Sequence, residues 1–317
     1  MTGQDRQVIV VVAPGQGSQS PGFLAPWLEL DGARERLEGY GAAAGVDLVT
    51  HGTVSDADTI RDTAVAQPLI VAASLLALAA LETELAAVGA SRPTGIAGHS
   101  VGEIAALVGA GVITAETGMS LVGVRGRAMA TAAANAEPTG MSAIIGGDEG
   151  EIVGRLAALG LTPANMNGAG QIVAAGAMDA LAALSAEPPA GTRVIPLQVA
   201  GAFHTSFMEP AVAALREAAS AVSPTDPIGT LWTNHDGSIV TSGATALDLL
   251  VGQVASPVRW DRCMASFADA GVTGIIELTP AGTLVGLAKR ALKGVPTVAI
   301  KTPEDLASAV TLIEEAA

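Results

Sequence analysis

The chain is poor in cysteine, aromatic rings and basic charge, and each scarcity removes a class of function. It has one cysteine, Cys263, which excludes an internal disulfide and any multi-thiolate zinc site. Its setting, WDRCMASFADAG, puts Cys263 on the apolar face of a helix, where an inert buried thiol is expected. Three Trp, one Tyr and four Phe among 317 residues are too few for a base-stacking platform. Sixteen Lys and Arg stand against 31 Asp and Glu, a formal charge of −15, so the chain is no phosphate-backbone binder. Nucleic acid is excluded as a partner class. A membrane span is also missing from the reading: the most apolar stretch, LIVAASLLALAAL at Leu69–Leu81, falls short of about 18 residues and follows Gln67-Pro68. It reads as a buried, alanine-rich helix. MTGQDRQVIVVVAPG has no basic lead into a cleavable apolar segment, and a soluble cytoplasmic protein is expected.

Apolar residues are plentiful. Half the chain is hydrophobic and 15% charged, enough for a large core, and the length suits about two domains. VIVVVA at 8–13 has the continuous β-branched character of a parallel strand buried on both faces. It breaks into PGQGSQSPG, and helical patterns follow at about 31–44 and Pro68–Val88. TGIAG then reads as a strand turning at His99-Ser100 into the helix VGEIAALVGAG, with another helix from Ala115 to Ala134. This alternation predicts a parallel sheet with helices on its faces. In the middle, Gly140–Gly146, Glu149–Leu159, Pro163–Asn167, Gln171–Gly176, Ala177–Ala186 and Arg193–Val199 read in turn as β-α-β-β-α-β, the ferredoxin-like order. The expected organisation is therefore an α/β-hydrolase-like body formed by 1–129 and 199–317, carrying a small insert at 130–198. Beyond the insert the pattern resumes as strand TLWTN, helices at 244–254 and 259–270, strand GIIEL, helix 282–292, strand TVAIK and helix 303–316.

Gly98-His99-Ser100-Val101-Gly102 fits the G-x-S-x-G nucleophile elbow, whose tight strand-to-helix turn exposes the serine. The helix start aims the Val101 N–H and a partial positive charge at a reacting carbonyl. A serine nucleophile needs a base, and the chain has four histidines. His99 adjoins the nucleophile and should point away from it. His51 reads as a surface-loop residue and His235, in TNHDG, as part of a solvated turn. His204, in VAGAFHTSFMEP, follows Ser100 in the order usual for elbow enzymes and is the expected base. Pro14–Gln19 lacks the third glycine of a dinucleotide loop, since position 20 is Ser20, and no lysine follows to make a P-loop. That loop either lends an N–H to an oxyanion hole or is a plain tight turn. Arg125, in LVGVRGRAM, implies a buried carboxylate partner, internal or belonging to a substrate; Arg127 should face elsewhere.

Seven ordered blocks, GQGSQ, GHSVGE, RGRAM, NMNGAGQIV, GAFHTSFM, QVASPVRW and TPAGTLVGLAKR, span nearly the whole chain. Together they resemble the malonyl-CoA:acyl carrier protein transacylase family of fatty acid synthesis. The resemblance implies an α/β-hydrolase-like core with a ferredoxin-like insert, acylation of Ser100, and His204 as general base. It also implies an oxyanion hole from the amides of Gln16 and Val101, Arg125 gripping the malonyl carboxylate, and Gln253 orienting the histidine through its backbone carbonyl. Phe203 falls where related acyltransferases limit bulk on the substrate's α-carbon; a core phenylalanine is the plain alternative. The implied reaction is ping-pong, between malonyl-CoA and the phosphopantetheine thiol of an acyl carrier protein, with no cofactor or metal. Ser206-Phe207 stands where the family has a basic pair, and Thr279-Pro280 where it has Gly-Pro. Carrier proteins are typically acidic, so docking to this acidic chain needs local basic residues, for which Lys289, Arg290 and Lys293 are candidates. A solvated helix end is their plain alternative, and a monomer is expected. The rival readings are a serine esterase or thioesterase, an acyltransferase serving a polyketide synthase, and a non-catalytic scaffold.

Overall fold

The run VIVVVA forms strand β1 (Val8–Ala13), buried after its first residue. The structure, a computed structural model, describes residues 8–315; the first seven residues of the segment in which no export signal is read lie outside them. The chain continues through α1 (Ala33–Ala44), α2 (Leu48–Thr53), α3 (Thr63–Val88), β2 (Gly95–Gly98), α4 (Gly102–Gly109) and α5 (Ala115–Asn135). Next come β3 (Thr139–Gly146), α6 (Glu149–Ala158), β4 (Thr162–Gly168), β5 (Gln171–Ala177), α7 (Met178–Ala186) and β6 (Thr192–Pro196). The rest is α8 (Glu209–Ser220), β7 (Thr230–Trp232), β8 (Ile239–Val240), α9 (Gly243–Gln253) and α10 (Trp260–Asp269). β9 (Val272–Glu277), α11 (Thr283–Ala291), β10 (Thr297–Ala299) and α12 (Leu306–Glu314) close it.

The large sheet has the order β10-β9-β1-β2-β7-β8. Its first five strands are parallel, and β8 returns antiparallel to β7. β1 and β2 lie side by side at its centre, so the loop after β1 and the turn after β2 emerge together at their carboxyl ends, the usual place for a site in an α/β sheet. The small sheet, order β4-β5-β3-β6, is antiparallel throughout. With α6 and α7 it completes β-α-β-β-α-β around its own core of Ile144, Leu156 and Leu184. Main-chain bonds between β4 and Val258, Met166 N–H to Val258 O and Val258 N–H to Ala164 O, both 2.9 Å, tie the small sheet to the segment between α9 and α10.

Several elements differ from the sequence pattern. α3 starts at Thr63 and carries Pro68 inside it; Asp62 caps the Ala64 N–H. Among the described residues it is the one helix long and apolar enough to cross a membrane, and 78% of that apolar window is buried inside the protein. LVTHGT is α2, capped by Asp47, so His51 is a half-buried helical residue rather than part of a surface loop. β6 ends at Pro196, three residues short of the expected Val199, and the chain leaves the sheet to line a cleft. EPAVAALREAAS, left unassigned by the sequence pattern, forms α8 with Pro210 in its first turn. α5 runs through position 130 to Asn135.

Candidate active site

The elbow is enforced by sterics. A Cβ on Gly98 would lie 2.1 Å from the Gly102 carbonyl, and one on Gly102 would lie 2.3 Å from Ala13 O. No side chain fits at either position. Between them Ser100 takes a left-handed backbone, φ 52°, an uncommon conformation for a residue with a Cβ and one that marks a constrained site. Its Oγ lies 2.7 Å from His204 Nε2. His204, also left-handed at φ 62°, directs Nδ1 to the backbone carbonyl of Gln253 at 2.8 Å. A carbonyl only accepts, so Nδ1 carries the proton and Nε2 is free to accept from the serine hydroxyl. Burial holds His204 far below the ordinary imidazole value, at about 3; the Arg125 charge acts the same way and the bond to Gln253 opposes it. The imidazole is neutral at pH 7 and able to take a proton.

Arg125 projects from α5 and is 1% exposed. Its Nη1 donates to Gln67 Oε1 at 2.6 Å and its Nη2 to Gln253 Oε1 at 2.9 Å; Nε has no partner among the described residues. Burial lowers its pKa to about 10, and Glu103 pulls it back up. The internal carboxylate that the sequence left open is thus Glu103, but it reaches Arg125 only across the Gln253 amide, whose Nε2 donates to Glu103 Oε2. Arg127 turns away and donates to Ala44 O at 2.7 Å.

A cleft of about 250 Å³ opens between the elbow and the small sheet, and Gln16, Ser100, Val101, Arg125, Phe203 and His204 all line it. Phe203 is 6% exposed, packed into the main core as well as bordering the cleft. His99 turns its Nε2 to Asn167 Oδ1 at 2.9 Å and packs edge-on against Trp260, and its ring also borders the cleft. His235 is exposed. Cys263 is fully buried, donates to Thr233 O at 3.3 Å and is pushed up in pKa by burial, as an inert thiol should be. Lys289, Arg290 and Lys293 are exposed at the far end of α11, whose first turn forms part of the cleft wall. That turn is held by Glu277, which accepts the N–H groups of Gly282, Leu284 and Val285.

The sequence reading missed Gln67, Glu103 and Asn234. Asn234 accepts the Ser100 N–H at 2.7 Å and donates to Gly98 O at 2.6 Å, pinning the elbow. It lay hidden in the turn pattern TNHDG. Glu103 had a usable signal: one carboxylate inside the otherwise apolar helix GEIAALVG.

The chain is similar to known proteins over nearly its whole length. The family model described as "Acyl transferase domain" matches residues 10–311. The malonyl CoA-acyl carrier protein transacylase of Mycobacterium tuberculosis is 53% identical over 301 residues, covering 94% of this chain and 98% of that protein. The protein of the same description from Escherichia coli K12 is 33% identical over 309 residues, covering 95% and 98%. The crystal structure of MCAT from Mycobacterium tuberculosis superposes with a TM-score of 0.92 at 52% identity, covering 96% of this chain and 100% of that one.

Proposed function

Since the chain belongs to the acyl transferase family and, within it, to the malonyl-CoA:acyl carrier protein transacylases, we propose that it moves a malonyl group from malonyl-CoA to the phosphopantetheine thiol of an acyl carrier protein. The observation that carries this reading is the sharing of Gln253: its carbonyl orients the base, and its side chain holds the buried arginine of the same cleft. An esterase has no use for that arginine.

Ser100 Oγ attacks the thioester carbonyl as His204 Nε2 takes its proton. The Gln16 and Val101 amides receive the carbonyl oxygen as it becomes negative. The C–S bond breaks, and the departing CoA sulfur takes the proton from His204. In the second half the carrier's thiol gives a proton to His204 and attacks the malonyl ester, and Ser100 recovers its hydrogen. Arg125 grips the malonyl carboxylate, a pairing that a desolvated carboxylate requires and that a planar guanidinium suits. An anion there offsets the arginine charge that depresses His204, so the base strengthens once the substrate is seated. Phe203 limits bulk on the acyl α-carbon, which disfavours methylmalonyl.

The reaction uses only side chains and amides of this chain, with no cofactor, and we place it in the cytoplasm, carried out by a monomer. Lys289, Arg290 and Lys293 dock the carrier. Residues 1–129 with 199–317 form the catalytic body and 130–198 the small insert, whose first residues are the last turns of α5. Intact mass spectrometry after mixing with malonyl-CoA tests the reading. A malonyl adduct that maps to Ser100 and is discharged by carrier protein supports it; release of malonate to water without transfer would make the protein a hydrolase.

A further inference from the structure

Glu103 is a buried carboxylate that the transfer reaction above does not use. It sits in the first turn of α4, 3% exposed. Its Oε1 accepts the Asn234 backbone N–H at 2.7 Å and its Oε2 accepts from Gln253 Nε2. Burial pushes it up to about 7, against the pull of these donors and of Arg125.

Both Glu103 oxygens meet N–H donors, and a guanidinium can only donate. The Gln253 amide therefore lies with its Nε2 toward Glu103 and its Oε1 facing Arg125 Nη2. Turned the other way, the amide would set oxygen against carboxylate and N–H against guanidinium, two repulsive contacts in a buried site. The other acceptors near Nε2, Ser100 O at 3.1 Å and Asn234 Oδ1 at 3.3 Å, are longer partners of the same polarity. His204, by contrast, takes the main-chain carbonyl of Gln253, which the direction of the amide does not alter.

We propose that Glu103 is a positioning residue for substrate selection: it fixes the Gln253 amide so that Arg125 is held for the acyl carboxylate. It acts on recognition of the malonyl group more than on the base. This inference rests on the reading that Arg125 binds that carboxylate.

Replacement by glutamine keeps the shape and spoils the polarity. The amide of Glu103→Gln can offer oxygen to Asn234 N–H or to Gln253 Nε2, but not to both, so one donor meets another. The test is the kcat/KM for acylation of Ser100 by malonyl-CoA and by acetyl-CoA in wild type, Arg125→Ala and Glu103→Gln. Glu103→Gln should lower the malonyl-to-acetyl ratio about tenfold or more, the scale of one hydrogen bond to a charged group. The loss should fall on KM for malonyl-CoA, while acetyl transfer stays within about threefold. An equal loss for both acyl groups, or no change in the ratio, overturns the proposal. Should Glu103→Gln fail to fold, Glu103→Asp, which draws the carboxylate back by one methylene, is judged by the same ratio: a malonyl-selective loss supports the proposal and any other outcome overturns it. Arg125→Ala separates the two levels. A ratio that survives that substitution removes the underlying reading and the inference with it, whereas loss in Arg125→Ala with an unchanged ratio in Glu103→Gln removes the inference alone.

Discussion

Removing the Arg125 side chain should abolish a preference for malonyl over neutral acyl groups. Malonyl differs from acetyl by one carboxylate, so selection needs a fixed positive charge where that carboxylate lies. Arg125 is 1% exposed, so bulk water is a poor substitute for the lost guanidinium. Breaking a buried ion pair by deleting one member costs about 3–5 kcal/mol; at about 1.4 kcal/mol per tenfold, malonyl kcat/KM should fall by about a hundredfold to several thousandfold. Acetyl should fall little or rise, because Arg125 is one of the groups that depress His204. The assay is Ser100 acylation by malonyl-CoA and acetyl-CoA, followed by intact mass and compared as kcat/KM. Arg125→Lys should lie between wild type and Arg125→Ala, since an ammonium keeps the charge without the two-pronged geometry. A malonyl preference that survives in Arg125→Ala would mean that the carboxylate is held elsewhere, and the assignment of Arg125 would be wrong.

His204→Ala should cut transfer by about 10²–10⁴, the usual worth of a general base; near-normal turnover in a folded variant would remove His204 from the mechanism. With malonyl-CoA, the acid limb of kcat should lie at higher pH than that of kcat/KM. The former reports His204 with the carboxylate seated on Arg125, and the latter reports the free enzyme, where the imidazole is held at about 3. Coincident limbs would contradict that coupling. Charge reversal at Lys289, Arg290 and Lys293 should raise the apparent KM for the carrier protein and spare acylation by malonyl-CoA; unchanged carrier kinetics would leave these residues as a solvated helix end. Gly98→Ala should lower Tm and abolish acylation together, because its Cβ would sit 2.1 Å from the Gly102 carbonyl; a fully active variant would refute the steric account of the elbow.

Ser100, His204 and the β-α-β-β-α-β order of the small sheet were legible because their signals are local. Glycines at positions 98 and 102 demand a tight turn, period-2 and period-3.6 patterns alternate on schedule, and four histidines leave few candidates for a base. The start of α3 was obscured because Pro68 reads as a boundary, whereas Asp62 caps the helix a turn and a half earlier and the following residues are buried by tertiary contact. The network behind the site was illegible for another reason. Gln253 meets Arg125 across 128 residues of sequence and Ser100 across 153. No local pattern distinguishes a glutamine at the end of α9 from one facing solvent. Arg125 itself was half legible: its burial could be read from its helix, but the nature of its partner could not.

If Arg125 receives the substrate carboxylate as proposed, the use of a carbonyl as the third member of the relay follows from the charge the site would have to keep free. Gln253 is bonded both to His204 and to Arg125. An acidic side chain in its place would raise His204 and make a stronger base. It would also pair with the arginine, and a buried guanidinium already neutralised by an internal carboxylate has little left for a substrate carboxylate. A carbonyl fixes the histidine's tautomer without competing for that charge. Glu103 fits the same logic, since it balances Arg125 from behind an intervening amide instead of in direct contact. The cost is a weak resting base, and on the proposed assignment an anionic substrate docked on Arg125 would lessen it. Selection would then operate twice on the same carboxylate, once in binding and again through the strength of the base that acts on the bound acyl group.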